Sequence, residues 1–364
     1  MSKLVPGVHL VRHDENADEL AALMDHHGDR VGVTGVLDDL NRRAARAKVP
    51  GRAPSWGFTW DQEDNDSERW WPQGITTSAD AFDREECEGR QLVVTSWYSK
   101  GSGRDNHGSR ITVVDLDALR YRHVLVVKAG RDDHDLPCFE PVQIHAGGVV
   151  WFGDHLHLAG TAHGLYTCHL DDIMKVRSDA DTFGYRYVLP VRSSYVAASE
   201  PGTEKLRYSF LSLDRGVCPP ELVAGEYGVA GQTTRLARYP IDPETMHLQR
   251  DEHGESRPVF LDDAGVGHMQ GAAVVGGTYY VTVSRGPRKL GHLFVGKPGE
   301  LRPHRWALPP GPEDISYWPS RDQLWSLCEY PGRRFVYAIE RSRLGSIKGL
   351  LYSLRSWTGR GAGR

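Results

Sequence analysis

Seven polar side chains stand at matching places in five related segments of this chain, and four of them are imidazole or carboxyl groups, the types that carry out proton transfer. Each lies at or just before the start of a strand-like apolar run: Gln73, His145, Tyr208, His268, Gln270, Glu313 and Asp314. Imidazole and carboxyl groups act as acids and bases near neutral pH, and both also bind divalent metal ions. If the fold brings these positions together, we expect one polar site that binds or transforms a ligand.

The elements that must position them form a repeat made of strands. Each copy has an apolar strand, a Gly-containing hairpin and further strands, as in WPQGITTS, IHAGGVVWFGDHLHLAG and PEDISYWPSRDQLWSL. A repeat of this length that contains only strands predicts a β-propeller, in which the innermost strands converge around one axis. The fold class is therefore all-β, and we predict five blades, near residues 70–128, 143–190, 206–261, 268–308 and 312–340.

The remaining segments are assigned to the two ends of the chain. Alternating aromatic residues at 56–60 predict a strand that closes the last blade, so the propeller spans 54–340. Helical spacing of Leu37, Leu40, Ala44 and Ala47 makes 1–53 a helical lead-in. The basic segment 341–364 has apolar residues at helical spacing. It predicts an amphipathic helix, docked on the propeller or lying on a membrane surface, and we favour docking.

The seven residues named above would form a first ring around the axis, and the side-chain type of each one suggests its role. Glu313 or Asp314 is the expected catalytic acid or base, with His145 and His268 as partner bases. His145, His268 and Glu313 are also candidate ligands for one divalent metal ion. Neutral groups at Gln73, Tyr208 and Gln270 would orient the substrate. The alternative is a hydrated channel lined by polar groups that are satisfied by one another.

A second ring comes from the ends of the second strands. Glu226 and Glu329 occur in the similar phrases GEYG and CEYPG, and Trp71 precedes the first innermost strand. These three residues are candidates for the wall of the substrate pocket. The alternative reading, which their position one layer from the axis favours, is that the glutamates bond neighbouring backbone and the tryptophan packs between blades.

Two histidines in HLHLAG could hold a metal ion. His155 and His157 are two residues apart and therefore share one face of a strand. Zinc sites need at least a third ligand, and none is evident nearby in the sequence. We therefore expect surface or interblade histidines rather than a metal site.

Composition limits the function classes. The net charge of −4 gives no electrostatic basis for binding nucleic acid. No dinucleotide or phosphate-binding fingerprint occurs, so we expect no nucleotide cofactor, and either no metal or one divalent ion. The five cysteines include no C-x-x-C pair. No signal peptide or apolar run of membrane-spanning length is present, so we expect a cytoplasmic protein with no membrane partner.

The phrases WPQGITTSAD, HAGGVVWFGDHLHLAGTAHGLY and PEDISYWPSRDQLWSLCEYPGRR resemble a family of actinobacterial proteins usually described only as secreted or hypothetical. The resemblance covers about residues 35–339 and implies no particular activity. At the level of fold alone, five blades also resemble tachylectin-like lectins and arabinanase-type glycosidases. The sequence motifs of those glycosidases do not occur here, and a shared fold does not give a shared function.

These observations favour an enzyme that acts on a small organic molecule, such as a specialised metabolite or sugar, in the axial funnel. The expected chemistry is acid–base catalysis of the hydrolase, lyase, isomerase or cyclase type, with or without a metal ion. The alternative is a non-catalytic propeller that binds a ligand or glycan or serves as a protein scaffold. A different polar residue in each repeat favours one asymmetric site over repeated lectin-like sites.

Overall fold

The computed structural model describes residues 4–13, 15–177 and 180–344 of the chain, and strands make up most of this part. The strands β1 to β27 are, in chain order, Val8–Arg12, Gly28–Arg30, Arg42–Arg43, Ala45–Arg46, Pro54–Thr59, Trp70–Thr77, Leu92–Ser99, Ser109–Asp115, Arg120–Arg131, Pro137–Pro141, Val149–Phe152, His155–Ala159, Gly164–His169, Met174–Val176, Tyr187–Ser199, Phe210–Asp214, Glu221–Gly225, Arg235–Pro240, Glu255–Ser256, Phe260–Asp263, Met269–Val275, Thr278–Val283, Gly291–Gly296, Arg302–Leu308, Pro312–Trp318, Gln323–Cys328 and Phe335–Glu340. The all-β class is therefore confirmed.

Helices are short in the described ranges. They are α1 Ala17–His27, α2 Gly32–Leu37, α3 Gln62–Asp66 and α4 Ser78–Ala81, with single 3₁₀ turns at Gly103–Asp105 and Leu170–Asp172. The Asp61 side chain accepts a hydrogen bond from the Asp64 amide and so caps α3. No helix in these ranges is long and apolar enough to cross a membrane. Most of the amphipathic helix predicted at 341–364 lies outside the described residues.

The predicted helix over 37–47 does not form. Helix α2 ends at Leu37, and β3 and β4 follow it instead. β3 pairs with β9, and β4 pairs with β5, both antiparallel. Helical spacing is weak evidence for so short a segment, and pairing with neighbouring strands overrides it.

Hydrogen bonding groups the strands into four sheets, so the prediction of five separate blades is not confirmed. One sheet has 14 strands, with β11, β12, β13, β15, β9, β8, β7 and β6 in order, because β15 pairs in parallel with β9 and joins two predicted blades. β16, β17, β18 and β20 form a second sheet, and β21 to β24 form a third. In the fourth sheet, β5 from the N-terminal part of the chain pairs antiparallel with β27.

The first strands of the five repeats surround one centre. β6 contacts β11, β11 contacts β16, β16 contacts β21, β21 contacts β25, and β25 contacts β6, which closes the cycle. Apolar core clusters fill the space between adjacent sheets, and a further cluster packs between the two predicted blades that share the 14-stranded sheet. In the antiparallel first hairpins, the starts of the first strands and the ends of the second strands lie at the same edge. This edge is the mouth of the central opening, and both predicted rings of polar residues lie at it.

Glycine at the start of the innermost strands permits this close approach. A Cβ atom on Gly148 would lie 2.0 Å from the Leu211 backbone nitrogen, and one on Gly74 would lie 2.8 Å from the backbone of Gly148. Both neighbours are backbone atoms of the next innermost strand, which cannot move without opening the cycle. The glycines that recur in the sequence repeat therefore have a packing role at the centre.

Substituting Gly148 by alanine is expected to destabilise the protein by about 3 kcal/mol, near the upper end of the usual cost of overpacking. Equilibrium urea denaturation measures this loss. Gly216→Ala is the matched control, because the nearest atom to its added Cβ is a side-chain oxygen at 3.1 Å. Equal stability losses in the two variants would refute the packing argument.

Candidate functional site

A cavity of about 610 Å³ opens at the mouth where the innermost strands begin. All five repeats contribute to its wall: Gln73, Gln143, Ile144, His145, Gly160, Thr161, Ala162, His163, Ser209, Tyr227, Gln270 and Glu329. Four of the sequence-predicted residues, Gln73, His145, Gln270 and Glu329, thus line one cavity. Their sequence positions are up to 256 residues apart, as the Gln73–Glu329 contact shows.

Two glutamates meet at this wall and are held by two glutamines. Gln73 Nε2 donates to Glu329 Oε2 at 3.1 Å, and Gln270 Nε2 donates to Glu313 Oε1 at 2.7 Å. Glu313 is buried and Glu329 is half-buried, and the charge of Glu329 acts on the Glu313 carboxyl group. Two carboxyl groups whose charges interact are coupled in their titration. The pair therefore forms one acid–base unit, with Glu329 as the member that reaches the cavity.

The surroundings keep a proton on this pair. Burial is the main cause that raises the pKa of Glu313, and the charges of Glu329 and Asp314 raise it further. Burial also raises the pKa of Glu329, although Gln73 and Lys100 oppose the shift. Two close carboxyl groups that cannot both ionise hold one proton over a wide pH range, and their titration belongs to the pair. We expect the pair to carry one proton at neutral pH.

His145 supplies a neutral imidazole on the same wall. Its side chain is exposed to the cavity and packs against Tyr98, with ring centroids 4.4 Å apart. The other sides of the His145 ring are buried against protein. This partial burial lowers the pKa of His145, and the nearby charge of Lys100 lowers it further. An uncharged imidazole at neutral pH can accept a proton.

Phenol groups surround the carboxyl pair. The charges of both Glu313 and Glu329 act on Tyr98 and on Tyr227, and burial is the main cause that raises the pKa of each phenol. Tyr330, the next residue after Glu329, acts in the opposite direction to burial and lowers the pKa of that carboxyl group. These protonated hydroxyl groups are donors toward the carboxyl oxygens and toward any ligand between them. His268 lies outside the cavity wall and is linked to it through a 2.9 Å hydrogen bond with Tyr227.

Two predicted residues are turned away from the cavity because neighbours in an extended chain point to opposite sides. Ser209 lines the cavity, whereas the adjacent Tyr208 is fully buried, with its hydroxyl 2.8 Å from that of Tyr239. Asp314, next to Glu313, is also fully buried and accepts a hydrogen bond from the Ile75 amide at 3.2 Å. Neither Tyr208 nor Asp314 is placed to contact a ligand in the cavity.

Glu226 and Trp71 have structural roles rather than positions in the cavity wall. Glu226 accepts hydrogen bonds from Arg235 side-chain nitrogens at 2.8 and 3.0 Å and from the Arg207 amide at 3.1 Å. Burial alone would raise the pKa of Glu226, but the Arg235 hydrogen bonds outweigh it and lower the pKa. The Trp71 indole nitrogen donates to the Glu68 carbonyl at 2.9 Å, and Lys100 Nζ lies 3.1 Å from the ring centroid. Both side chains are buried outside the cavity wall.

The structure does not gather the predicted metal ligands. Within the described ranges, His145, His268 and Glu313 are not among the groups of three ligand atoms that lie within 4.8 Å of one another. A divalent ion held by this trio stays a prediction.

Several residues around the Glu313–Glu329 pair were not predicted from the sequence as site residues. Tyr98, Lys100, Tyr227 and Tyr330 all lie at or just after the ends of second strands, where only the two glutamates were selected. The EY dipeptide in GEYG and CEYPG was a usable signal. In each copy, the tyrosine after the glutamate acts on the carboxyl pair.

A further buried carboxyl, Asp80, gives the centre a measurable pH dependence. It accepts hydrogen bonds from Thr76 and Ser316 hydroxyls at 2.7 and 2.6 Å, and burial raises its pKa to about 6. The pKa values of Glu313, Asp314 and Glu329 are raised as well. Groups with raised folded-state pKa values stabilise the fold below their unfolded pKa of about 4, and this stability is lost as pH rises through the folded values.

We therefore expect the wild type to lose stability relative to Asp80→Asn, which copies the protonated carboxyl, as pH rises from about 4 to 6, by up to about 3 kcal/mol. Urea denaturation of both proteins across this range measures the difference. The comparison isolates Asp80, because buried histidines with lowered pKa values, such as His123 and His157, change stability in the opposite direction over this range in both proteins. A stability difference that does not change with pH would contradict the proposed protonation of Asp80.

Comparisons with known proteins do not assign the chain to a family. No protein-family model and no curated protein matches the chain, so the resemblance to actinobacterial proteins stays an expectation. Solved structures similar to the chain include a gluconolactonase from Xanthomonas campestris, with 13% identity, TM-score 0.37, and coverage of 83% of this chain and 88% of that one.

Two further similar structures differ in kind. One is a GH43_1 enzyme from Xanthomonas citri, with 12% identity, TM-score 0.36, and coverage of 88% of this chain and 92% of that one. The other is the β-propeller domain of Swd1 from Myceliophteria thermophila, with 9% identity, TM-score 0.33, and coverage of 82% and 99%. Similarity at this level does not distinguish among functions.

Proposed function

We propose that this protein is an enzyme that acts on a small, uncharged, hydroxyl-rich organic molecule by acid–base chemistry in the axial cavity. The observation that carries the proposal is the Glu313–Glu329 carboxyl pair, which two glutamines hold at the wall of the cavity and whose pKa values are raised. A carboxyl group kept protonated at neutral pH is the usual form of a catalytic acid. Hydrolysis, elimination, isomerisation and cyclisation all need such a donor together with a base.

The proposed roles follow from protonation state. Neutral His145 accepts a proton from the substrate or from an attacking water, and Glu329 donates a proton to the oxygen that leaves or gains electrons. The one proton of the pair rests on Glu313 before the reaction and passes to Glu329 as Glu329 donates, which leaves both carboxyl groups ionised. Solvent then returns one proton to the pair and takes one from the imidazole, so the site ends as it began.

Binding is proposed to rely on neutral polar groups. Gln73, Gln270, Tyr227 and Ser209 all line the cavity. Carboxamides, phenols and hydroxyls pair with the hydroxyl groups of a polyol or sugar-like ligand. A cavity of about 610 Å³ is within the size range of small-molecule sites.

Two finer statements belong to the same proposal. We propose that the molecule is a five-bladed propeller, which the closed cycle of five innermost strands supports. We also propose that the ligand is a small molecule rather than nucleic acid, consistent with the net charge of −4. The alternative, a non-catalytic ligand-binding or scaffold propeller, is an outcome of the experiment below.

Incubation with metabolite extracts, followed by mass spectrometry, tests the proposal. The wild-type protein and the Glu329→Gln and His145→Ala variants are compared. We expect the wild type alone to deplete a hydroxyl-rich metabolite and to form a product. Retention of the same metabolite by all three proteins without depletion would instead establish a binding protein.

A further inference from the structure

A second group of potential ligands lies on the hairpin of β12 and β13, outside the axial cavity. Asp154 precedes β12, His155 begins it, and His169 ends β13. His155 and His169 are direct partners in the antiparallel register. The sequence spacing of His155 and His157 gave no third ligand, whereas strand pairing brings His169 to the same place.

The three side chains converge on one point. Asp154 Oδ1 lies 2.6 Å from His155 Nδ1, and Asp154 Oδ2 lies 2.8 Å from His169 Nε2. One ligand atom from each residue lies within 4.8 Å of the other two. Two imidazoles and a carboxylate are the donor set of many zinc sites with three protein ligands, and such sites leave a position open for water.

The other nearby histidines have different partners. His157 is fully buried, with Nδ1 3.0 Å from the Thr167 hydroxyl and Nε2 3.0 Å from the Met246 carbonyl. His247 has its ring nitrogens near Arg12 and Tyr195, at 2.8 and 3.2 Å. Among these four histidines, only His155 and His169 direct a ring nitrogen at a shared carboxylate.

The positive charges near Asp154, His155 and His169 are already neutralised, so they do not oppose a bound cation. The nearest guanidinium groups already have carboxylate partners: Arg192 Nε lies 2.5 Å from Asp172, and Arg12 lies 2.8 Å from Glu15.

Asp171 provides an outer partner. His169 Nδ1 accepts a hydrogen bond from the Asp171 amide at 3.3 Å, and Asp171 Oδ2 lies 3.9 Å from the same nitrogen. A histidine that coordinates a metal through Nε2 carries its proton on Nδ1, which usually bonds a carboxylate or carbonyl. Zinc binding would therefore move the His169 proton from Nε2 to Nδ1, where a bond to the Asp171 carboxylate, formed by a shift of about 1 Å, would replace the one from the amide.

We propose that Asp154, His155 and His169 form a binding site for one Zn²⁺ ion, with the remaining coordination positions filled by water. Imidazole nitrogens favour zinc over magnesium or calcium, which prefer sites made only of oxygen ligands. The ion would connect the first residue of β12 to the last residue of β13. The proposal is independent of the axial cavity.

Titration of the tag-free protein with ZnCl₂ in a calorimeter tests the site. We expect one equivalent to bind, and Asp154→Asn and His169→Ala each to weaken binding by more than about 100-fold, the upper end of what losing an outer partner costs. Circular dichroism checks that both variants are folded. His253→Ala is the matched control, because His253 is an exposed histidine 3.7 Å from Glu252, with no second imidazole in its pair.

Anomalous diffraction from crystals soaked in ZnCl₂ locates the ion. A single peak between Asp154 and His169, together with unchanged binding in His253→Ala, supports the site. Absence of binding by the wild type, or binding that Asp154→Asn and His169→Ala leave unchanged, overturns the proposal.

Discussion

Replacing Glu329 by glutamine is expected to lower kcat on the metabolite that the wild type consumes by roughly 10²- to 10⁴-fold, the usual contribution of a general acid. Glutamine keeps the size of the side chain and a carbonyl that accepts from Gln73, but it holds no transferable proton. Binding depends on the other polar groups of the wall, so KM should change by less than about tenfold.

The thermal midpoint of the variant distinguishes loss of the catalytic acid from unfolding. Glu329→Gln removes a carboxyl whose ionisation burial and Glu313 both oppose, so the thermal midpoint should stay the same or rise. Glu313→Gln should lose a similar share of kcat, because the proton belongs to the pair. Glu244→Gln, at an exposed loop residue, is the control for charge removal alone. Retained turnover in both axial variants would remove the pair from the mechanism.

Asp64 gives the largest expected effect on stability. This buried carboxylate accepts hydrogen bonds from Arg110 at 2.8 Å and Tyr121 at 2.7 Å, and it also contacts His123 at 2.8 Å and Arg42 at 3.3 Å. Burial alone would raise the pKa of Asp64, but His123 and Arg110 outweigh it and hold that pKa well below its usual range. Asp64 thus neutralises a guanidinium that is itself buried.

Asp64→Asn is expected to cost about 3–5 kcal/mol, the usual loss when one partner of a buried ion pair is removed. The variant leaves the Arg110 charge without its carboxylate between the rings of Trp70 and Trp97, whose centroids lie 4.5 and 4.6 Å from it. Urea denaturation at neutral pH measures the loss. Glu63→Gln, at the adjacent exposed carboxylate, should change stability by less than about 0.5 kcal/mol. A similar small change in Asp64→Asn would show that the network is not structural.

The repeat made part of the site predictable. Polar residues at the starts of innermost strands must approach one axis, and Gln73, His145 and Gln270 do line the cavity. The phase of each strand was not predictable to one residue, and a shift of one residue turns a side chain to the opposite face. Tyr208 therefore lies in the core while Ser209 faces the cavity.

Contacts between distant segments were hidden from the sequence. Asp64 stands in DQEDNDSER, which has the composition of an exposed loop. Its partners Arg110 and His123 come from β8 and β9, and only the folded sheet brings them to the loop. In the same way, the pairing of His155 with His169 depends on the register of a hairpin, which short apolar strands do not fix in advance.

The proposed mechanism depends most on the proton carried by the Glu313–Glu329 pair. Infrared difference spectroscopy of protein labelled with ¹³C-glutamate detects it directly, because the label shifts the protonated carboxyl band of glutamate away from those of Asp80 and Asp314. We predict a protonated glutamate band at neutral pH in the wild type that Glu313→Gln weakens or abolishes, because burial keeps the proton on Glu313. A wild-type spectrum in which every glutamate is ionised at about pH 6, well above the ordinary glutamate pKa of about 4.3, would contradict the proposed acid.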